Sequence, residues 1–430
     1  MNNILPSDWS IKKLSEIASI VSGGTPSRDV AEFWSPTEIE WVTPTDITRG
    51  NLRVLRSAKE KISKKGLSNS STKMLPINTI LMTSRATLGE MKVSGIECCT
   101  NQGFKSLIPK ANTDVWFLYY QMIRKKADYE GLGIGSTFLE VNKKDTDNFE
   151  IEFPPYEQQQ KIAKILSTVD NLIENTQSLI DKYTSVKQGM MADLFTRGID
   201  LSGTPETNKN YGQLRPSVTE SPELYQETEL GWVPKDWSIT KIYKIAIKVT
   251  DGDHHTPERT EDGVLLLSAR NVHDGFLDLS NVDYVPEYEF QRMIKRCHPE
   301  PGDILISCSG TIGRVCEVPS QLSFSLVRSV ALIKLDREKV LPSFIAWHLR
   351  TQLLKQKMFD SAMQAAQPNL FQAAINMLPT ITISFREQIE IVKKLDSIEI
   401  YLNSLKKEIA KSKKQKKGLM QDLLTGKIKV

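Results

Sequence analysis

The stretch "DGDHHTP" (251–257) places two carboxylates and two imidazoles within five residues: Asp251, Asp253, His254 and His255. Carboxylate and imidazole groups are common ligands of divalent metals, but side chains this close in sequence seldom converge on one ion. No His-rich segment follows, and the stretch that aligns with it in the first half of the chain, "SGGTPSRD" (22–29), has no histidine. We therefore predict no metal site and interpret the stretch as a polar loop with hydrogen-bonding side chains.

Two other stretches imitate catalytic motifs. "FPPY" (153–156) is similar to the Asn/Asp-Pro-Pro-Tyr/Phe loop of amino-methyltransferases, but Phe153 cannot accept the hydrogen bonds of an amine. A Pro-Pro entry into a helix accounts for the stretch instead. "GLGIGS" (131–136) lacks the Gly-Lys-Ser/Thr ending of a phosphate-binding loop. With no nuclease carboxylate set and no Ser-His-Asp arrangement evident, the sequence predicts no catalytic site.

The composition is that of a soluble globular protein. The chain has 430 residues, 40% of them hydrophobic and 25% charged. A chain of this length is expected to form roughly two to four domains. No apolar run approaches the ~20 residues that span a bilayer, and the start "MNNILPSDWS" lacks signal-peptide features. The net charge of +4 permits a polyanionic partner. We predict a cytoplasmic protein without membrane contact.

The chain contains an internal repeat. "PSDWSIKKLSEIA" (6–18) and "PKDWSITKIYKIA" (234–246) are identical at eight of thirteen positions. "TILMTSRATLGE" (79–90) aligns with "DILISCSGTIGR" (303–314), and "KQGMMADLFT" (187–196) with "KKGLMQDLLT" (416–425). The offset stays between 224 and 229, so each copy fills nearly half of the chain. In both copies a mixed globular segment precedes a long helix.

The two long helices carry apolar residues at heptad spacing, which predicts a coiled coil. An antiparallel pair of ~40-residue helices would form a rod of roughly 60 Å with the globular segments at opposite ends. The heptad spacing gives each helix two lines of apolar residues. Lys187 and Lys416 interrupt the second of these lines. In the same line of the first helix, Leu172 and Leu179 are each followed directly by an isoleucine. The predicted helix-pairing seam comprises Ile162, Val169, Leu172, Leu179, Tyr183, Leu194, Ile391, Leu395, Ile398, Leu402, Leu405, Ile409, Leu419 and Leu423.

The predicted fold class is α/β (mixed α+β). Two similar globular domains are joined by two long helices that pair as an antiparallel coiled coil with pseudo-two-fold symmetry. A stretch rich in Gly, Pro, Ser, Thr and Asn follows the first helix and is interpreted as a linker. The predicted boundaries are domain 1 at 1–153, a central helical region at 154–198, the linker at 199–230, domain 2 at 231–383 and a C-terminal helical region at 384–430.

Several segments together resemble the specificity subunit of type I restriction-modification enzymes. They are "LGWVPKDW", "GSTFLE" before "IEFPPYEQQQKIAKIL", and "KKGLMQDLLTGKI", and the similarity covers essentially the whole chain. One departure is that the Glu-Gln pair of the second copy, Glu387-Gln388, reads Gln158-Gln159 in the first. The resemblance implies that the globular domains are target-recognition domains and the helices are the two conserved regions of the family.

The resemblance also implies the partners. The chain would bind double-stranded DNA without catalysis of its own and with no cofactor. Two methylation subunits would bring S-adenosylmethionine, methylate adenine and dock on the helices. Restriction subunits would use ATP and Mg²⁺ to cleave unmodified DNA. The alternatives are a stand-alone DNA methyltransferase or nuclease with an unrecognised site, and a coiled-coil scaffold without a DNA role.

Polar residues in the aligned loops of the two copies are the candidates for DNA contact. Arg can read guanine, Asn or Gln can read adenine, and Ser or Thr can bind bases or phosphates. For any single residue, surface exposure or turn chemistry is the alternative. The lysine-rich run at 406–418 is either a solvated helix face or a phosphate-contacting strip. The candidates are Thr25, Arg28, Thr45, Asp46, Arg49, Ser84, Arg85, Thr87, Asn101 and Gln102 in the first copy, and His254, His255, Arg270, Asn271, His273, Ser309, Thr311, Arg314 and Arg328 in the second.

Overall fold

A computed structural model of the chain describes residues 5–85, 87–135, 139–364 and 367–430. The chain forms two compact units. Unit 1 comprises Met1–Asp181 and Ser404–Val430, and unit 2 comprises Lys182–Asn403. Each long helix thus gives one segment to each unit, so the units cut across the predicted helical regions. The "GSTFLE" stretch lies partly outside the described residues, which resume at Leu139.

Unit 1 is built on a five-stranded sheet in the order β2-β9-β6-β7-β4, a three-stranded sheet β5-β3-β8 and the pair β1-β10. Its strands are β1 (Ser10–Lys13), β2 (Ala18–Ser22), β3 (Ile39–Val42), β4 (Val54–Leu55), β5 (Glu60–Ile62), β6 (Ile80–Met82), β7 (Met91–Ser94), β8 (Cys99–Thr100), β9 (Lys105–Pro109) and β10 (Glu150–Phe153). Its helices are α1 (Leu14–Ile17), α2 (Pro44–Thr48), α3 (Lys64–Ser68), α4 (Val115–Arg124), α5 (Lys126–Glu130), α6 (Lys143–Asn148) and the first part of α7 (Tyr156–Thr196). Strand β6 is apolar throughout and fully buried, because it lies in the middle of its sheet.

Unit 2 repeats this plan with a four-stranded sheet β14-β22-β19-β20, a three-stranded sheet β18-β15-β21 and the pairs β13-β23, β11-β12 and β16-β17. Its strands are β11 (Tyr225–Thr228), β12 (Gly231–Pro234), β13 (Ser238–Lys241), β14 (Ala246–Asp251), β15 (Val264–Leu267), β16 (Val272–His273), β17 (Phe276–Leu277), β18 (Asp283–Val285), β19 (Ile304–Ser307), β20 (Val315–Glu317), β21 (Phe324–Leu326), β22 (Val330–Leu335) and β23 (Pro379–Thr382). Its helices are α8 (Ile242–Ile245), α9 (Glu287–Ile294), α10 (Pro342–Leu349), α11 (Gln352–Ala362), α12 (Gln372–Asn376) and the first part of α13 (Phe385–Leu423).

The repeat in the sequence is a repeat of strand pairing. The antiparallel pair β2–β9 of unit 1 corresponds to β14–β22 of unit 2, and β1–β10 corresponds to β13–β23. A parallel pair occurs once in each three-stranded sheet, with Val42 opposite Thr100 in unit 1 and Leu267 opposite Leu326 in unit 2. The mixed α/β fold class and its duplication are therefore confirmed.

Within each unit the segments of α7 and α13 pack side by side in antiparallel directions. In unit 2 the Tyr183 and Tyr401 rings lie 4.8 Å apart, and further along α7 the Lys187 Nζ atom lies 2.8 Å from the Glu399 carboxylate. In unit 1 the Lys416 Nζ atom lies 2.8 Å from the Asp170 carboxylate. The two lysines that interrupt the apolar line each neutralise a carboxylate of the other helix.

Two predicted seam residues do not lie in the seam. Leu172 and Leu179 are 45% and 39% exposed, whereas Ile180 is buried and Ile173 half-buried. Adjacent helical residues point about 100° apart, so only one of each pair can face the partner helix. The remaining predicted residues are buried except for Val169, Tyr183 and Leu419, which are half-buried: Ile162, Leu194, Ile391, Leu395, Ile398, Leu402, Leu405, Ile409 and Leu423.

The segment predicted as a linker is packed onto unit 2. Ile199, Tyr225 and Leu230 are buried, and β11 pairs with β12 from Tyr225 onwards. The Arg215 guanidinium forms an ion pair with the Glu387 carboxylate at the start of α13. Absence of hydrophobic periodicity in this segment reflects irregular backbone rather than absence of contacts.

A buried glutamine holds the start of each long helix against its recognition segment. Gln159 accepts from the Asp114 N–H (2.9 Å) and donates to the Pro154 carbonyl (2.9 Å). Gln388 accepts from the Leu341 N–H (2.7 Å) and donates to the carbonyl of Ile383 (2.9 Å). The two glutamines make the same two backbone contacts in the two copies, and both are fully buried.

Replacing Gln388 with leucine is expected to lower the free energy of unfolding by about 2 kcal/mol, because two partly buried backbone groups lose their partner. Gln356→Leu is the matched control. The side chain of that glutamine is exposed on α11 and, among the described residues, bonds to Asp360, so its loss is expected to change stability by less than about 0.5 kcal/mol. Urea unfolding followed by circular dichroism measures both. Equal effects of the two substitutions would contradict the role assigned to Gln388.

Among the described residues, no helix is long and apolar enough to cross a membrane.

Candidate nucleic-acid interface

In unit 1, backbone hydrogen bonds bring separate loops together. We call these residues loop cluster 1: 23–28, 43–46, 84, 85, 87, 101–103 and 139–142. The bonds that join them and the adjoining strand ends are Gly24 N–H to Thr100 O (2.9 Å), Asn101 N–H to Val42 O (3.1 Å), Ser84 N–H to Gly103 O (2.7 Å) and Val141 N–H to Ser84 O (3.2 Å). Most first-copy candidates thus lie in one region, although they are spread over more than seventy residues of sequence.

Unit 2 has the same arrangement, which we call loop cluster 2: residues 251–257, 268–271, 308–314, 326–329 and 367–372. The joining bonds are Asp253 N–H to Leu326 O (2.8 Å), Arg328 N–H to Asp253 O (2.9 Å), Cys308 N–H to Ser329 O (2.8 Å), Leu370 N–H to Cys308 O (2.9 Å) and Ala269 N–H to Ser329 Oγ (3.0 Å). The Ser84 bonds to Gly103 and Val141 in unit 1 correspond to the Cys308 bonds to Ser329 and Leu370 in unit 2. These shared bonds identify equivalent positions in the two clusters.

The structure divides the predicted candidates by exposure. The exposed ones are Thr25, Arg28, Thr45, Arg49, Arg85, Thr87, Gln102, His254, His255, Arg270 and Arg328. The half-buried ones are Asn101, His273, Ser309, Thr311 and Arg314, and the buried ones are Asp46, Ser84 and Asn271. Arg49 and His273 lie outside the loop clusters. Arg49 follows α2, and the His273 ring stacks on Phe276 in the β16–β17 hairpin.

Asp46 and Asn271 have structural roles, which makes them poor candidates for DNA contact. The Asp46 carboxylate accepts from the Thr43 N–H (2.8 Å) and the Lys59 N–H (3.0 Å). Asn271 accepts from the Ser268 N–H (3.0 Å) and donates to two loop carbonyls. Both side chains are buried. Each holds the turn that follows the central strand of a three-stranded sheet, β3 in unit 1 and β15 in unit 2. The Thr-x-x-Asp spacing at 43–46 is a capping-box pattern, and it could have indicated this role from sequence.

Ser84 and Asn101 also serve the local backbone. Ser84 is fully buried, and its hydroxyl accepts from the Lys105 Nζ atom at 3.4 Å. The Asn101 Oδ1 atom accepts from the Gly103 N–H at 2.9 Å. In unit 2 the Thr311 hydroxyl donates to the Ala269 carbonyl at 3.3 Å. These bonds fix the loops from which the exposed side chains project.

Several exposed basic candidates are already paired with carboxylates. Arg28 lies 2.7 Å from Glu60 and stacks over the Trp34 ring at 3.7 Å. Arg85 lies 2.7 Å from Glu140, and Arg270 lies 2.9 Å from the carboxylate of Asp283. Exposed ion pairs contribute little stability, so each guanidinium can exchange its carboxylate for a phosphate or a base at low energetic cost.

Asp251 is the centre of the charged network in loop cluster 2. Its carboxylate accepts from Arg296 (2.6 Å) and Gln372 (2.6 Å) and contacts the His254 ring at 2.8 Å. Burial alone would raise the pKa of Asp251, but the hydrogen bonds from Arg296 and His254 outweigh it and hold that pKa below its ordinary value. The carboxylate therefore stays ionised, in contact with three polar side chains.

A pocket of about 270 Å³ opens beside this network. Its lining includes Asp251, His254, Arg328, Asn369 and Gln372. The last two residues and Glu140 were not among the candidates, although they extend the loop clusters. In the first copy the "GSTFLE" stretch marks this loop, whereas in the second "QPNLFQ" (367–372) shares no residue pattern with it that would reveal the equivalence.

The part of the chain that the structure describes contains no group of three or more His, Cys, Asp or Glu side chains able to hold a metal ion. At "DGDHHTP" the second carboxylate, Asp253, pairs with Arg292 and accepts from the His255 N–H at 3.1 Å. The cluster of charges seen in the sequence is thus an ion-pair network with arginines from α9 and the residues after it.

Residues 6–183 match the family model of the type I restriction modification DNA specificity domain. The match covers the recognition segment of unit 1 and part of α7, so loop cluster 1 lies within the matched residues.

Sequence relatives are similar to this chain beyond residues 6–183. The MjaIX specificity subunit of Methanocaldococcus jannaschii is 31% identical over 257 residues, 59% of this chain and 55% of the relative, so the alignment spans about half of that protein. The type I restriction enzyme MjaVIII specificity subunit of the same organism is 24% identical over 434 residues, 99% of this chain and 94% of the relative. The crystal structure of a type I restriction-modification S subunit from M. genitalium has the same fold, with a TM-score of 0.63 at 16% identity over 99% of this chain and 97% of that one. Along essentially its whole length the chain is therefore similar to type I restriction-modification specificity subunits, as its motifs predicted.

Proposed function

We propose that this chain is the DNA-reading subunit of a type I restriction-modification enzyme and has no catalytic activity of its own. Each unit reads one part of a two-part, asymmetric site on double-stranded DNA through its loop cluster. One observation carries the proposal: equivalent backbone hydrogen bonds build both loop clusters, while most of the side chains at matching positions differ. Arg85 of unit 1 corresponds to Ser309, and Glu140 corresponds to Asn369. Two loop clusters with equivalent backbone hydrogen bonds and different side chains suit a protein that reads two different half-sites.

The partners follow from the proposed role. Two methylation subunits would supply S-adenosylmethionine and dock on α7 and α13, and restriction subunits would supply ATP- and Mg²⁺-dependent cleavage. No cofactor is assigned to this chain. Because its substrate would be the DNA of the cell, we place the complex in the cytoplasm.

Exchange of one recognition segment tests the division of labour. Replacing residues 1–150 with the corresponding segment of another family member is expected to change one half of the methylated sequence and leave the other half intact. Sequencing of methylated positions in DNA from cells that express the chimera with its methylation subunits measures this. Exchange of residues 231–383 is the matched control and should change only the other half. A change in both halves from one exchange would contradict separate reading by the two units.

The rival function is a self-contained methyltransferase or nuclease. Incubation of the purified chain with DNA and S-adenosylmethionine, or with DNA and Mg²⁺, separates the two functions. The proposed function expects neither methyl transfer nor cleavage until methylation subunits are added. Turnover by the chain alone would reject it.

A further inference from the structure

Gln102 and Arg328 occupy the same position of the repeat. Thr100 and Leu326 end the parallel pairings of β8 and β21, and the two residues follow two places later. The next residues, Gly103 and Ser329, accept the equivalent bonds from the Ser84 and Cys308 N–H groups. The equivalence thus rests on strand register and hydrogen bonding as well as on sequence offset.

Both side chains are exposed and have unused donors. Across the described residues, the Arg328 guanidinium has no hydrogen bond or ion pair, although it borders the same pocket as Asp251. That carboxylate already contacts Arg296, Gln372 and His254. An arginine kept free beside a carboxylate is available to an incoming acceptor.

Gln102 is oriented by one neighbour. The Thr25 hydroxyl donates to its Oε1 atom, which leaves the second lone pair of that oxygen and the Nε2 amide group without a hydrogen-bond partner among the described residues. An amide held in this way offers one acceptor and one donor side by side. This is the pattern that pairs with the N6 amino group and N7 of adenine, whereas the guanidinium fork pairs with O6 and N7 of guanine.

We propose that Arg328 and Gln102 are specificity-determining residues of opposite preference. Arg328 reads a guanine in the half-site of unit 2, and Gln102, positioned by Thr25, reads an adenine in the half-site of unit 1. The inference rests on the proposed function, because it assigns bases within the DNA site that the loop clusters would read. The difference between the two residues would be one source of the asymmetry of the site.

The test uses the full chain co-purified with its methylation subunits and a pool of randomised 40-base-pair DNA duplexes, from which bound sequences are selected and read. The parent complex is expected to select a two-part sequence. Arg328→Gln should shift one position of one half-site from guanine towards adenine, by roughly 5- to 100-fold in relative binding. Gln102→Arg should make the opposite change at one position of the other half-site. Positions not read by the substituted residue should keep their preference.

Three further results decide the interpretation. Arg328→Lys keeps the charge but loses the fork, so it should weaken the guanine preference while keeping overall affinity. If Arg328→Gln instead weakens all sequences equally, lowers the salt dependence by about one counterion and Arg328→Lys restores binding, the residue contacts a phosphate and the inference is overturned. Arg337→Gln, an exposed arginine outside loop cluster 2, is the control and should leave the selected sequence unchanged.

The outcome separates the two levels of the proposal. If the parent complex selects no sequence, the proposed function itself fails. If the parent selects a two-part sequence that Arg328→Gln and Gln102→Arg leave unchanged, only the assignment of these residues fails. Because both side chains are exposed, unchanged melting temperatures are expected and exclude misfolding as the cause of a shift.

Discussion

Replacement of Glu387 by leucine is expected to lower the free energy of unfolding by about 3–5 kcal/mol, the cost of breaking a buried ion pair by removing one of its members. Its carboxylate accepts from the Ile199 N–H (2.8 Å) and from Arg215 (3.2 Å to Oε2), and it lies 3.3 Å from the Trp237 indole nitrogen. Glu387 is buried, and the Arg215 side chain is only 13% exposed. Without the carboxylate, Arg215 stays charged and keeps only the exposed Asp236 carboxylate, 3.0 Å away, as an ion-pair partner among the described residues. Its pKa, which burial would lower, is held above the ordinary value by Glu387 and its other acidic neighbours.

The first copy supplies the matched control. Gln158 stands 229 positions earlier, and its Oε1 atom accepts from the Trp9 indole N–H at 2.9 Å, the equivalent of the contact with Trp237. Gln158→Leu removes that hydrogen bond and one to the exposed Asp8 carboxylate (2.6 Å) without stranding a buried charge, so the expected loss is about 1 kcal/mol. Urea unfolding of both variants measures the difference. Equal losses would show that Arg215 gains nothing from the carboxylate.

A double variant shows how much of the stability loss comes from the charge of Arg215 after its Glu387 partner is removed. Replacing both residues, Glu387→Leu with Arg215→Met, removes the unpaired charge and fills the space with apolar groups. Exchange of a buried ion pair for apolar residues is often close to neutral. The double variant should therefore regain much of the stability that Glu387→Leu loses. A double variant as unstable as the single one would assign the loss to the Ile199 hydrogen bond instead.

Sequence patterns predicted the repeat and both long helices because these depend on spacing that is written along the chain. The offset of 224 to 229 seen in the motifs is the offset between residues that make equivalent hydrogen bonds, such as Ser84 with Cys308 and Gln159 with Gln388. The choice between Leu172 and Ile173 could not be made from composition. Alternation of four- and three-residue steps from Ile162 through Leu166 and Val169 favours Ile173, in agreement with the structure.

The candidate site was predictable as a set of loops but not residue by residue. A polar side chain in a turn can face solvent or bind its own backbone, and Asp46 and Asn271 do the latter. The packed course of residues 199–230 was equally hidden, because its contacts are single residues such as Arg215 and Ile199 that follow no period. Such contacts depend on tertiary position, which a single sequence does not encode locally.

Comparison of the two copies distinguishes residues that stabilise the fold from residues proposed to read DNA. Residues that fix the backbone make similar hydrogen bonds in both copies. They are the buried glutamines Gln159 and Gln388, and the turn-capping residues Asp46 and Asn271. Exposed positions in the loop clusters differ, as Gln102 and Arg328 do. A residue that is alike in both copies is therefore expected to affect folding, and one that differs is expected to affect the DNA sequence that is read.

His348 departs from this pattern inside the core, and it makes stability depend on pH. Its equivalent in unit 1 is Gln121, which donates to the Glu152 carbonyl at 2.7 Å and the Leu424 carbonyl at 3.0 Å. The His348 ring is buried against Phe195, and its Nδ1 atom lies 3.1 Å from the Thr380 hydroxyl. Burial lowers the pKa of His348 to about 3, so the imidazole is neutral in the folded chain.

The sign of the effect follows from proton binding. An unfolded histidine takes up a proton below pH ~6.5, whereas the folded one does so only near pH 3. Between these values the unfolded state binds more protons, so stability is lost as the pH falls. At about 1.4 kcal/mol for each pH unit, His348 is expected to cost roughly 3 kcal/mol between pH 6.5 and pH 4.

Comparison with His348→Gln isolates this contribution from that of the carboxylates, which titrate in the same range in both proteins. The variant places the residue of the first copy in the second and has no imidazole to protonate. The stability of the parent relative to the variant should fall steadily from pH 6.5 to pH 4 in urea unfolding. His298→Gln, which removes an exposed histidine, should produce no such trend. A stability difference between the parent and His348→Gln that does not change with pH would mean that the folded core accommodates the imidazolium ion, through water or through movement of Phe195.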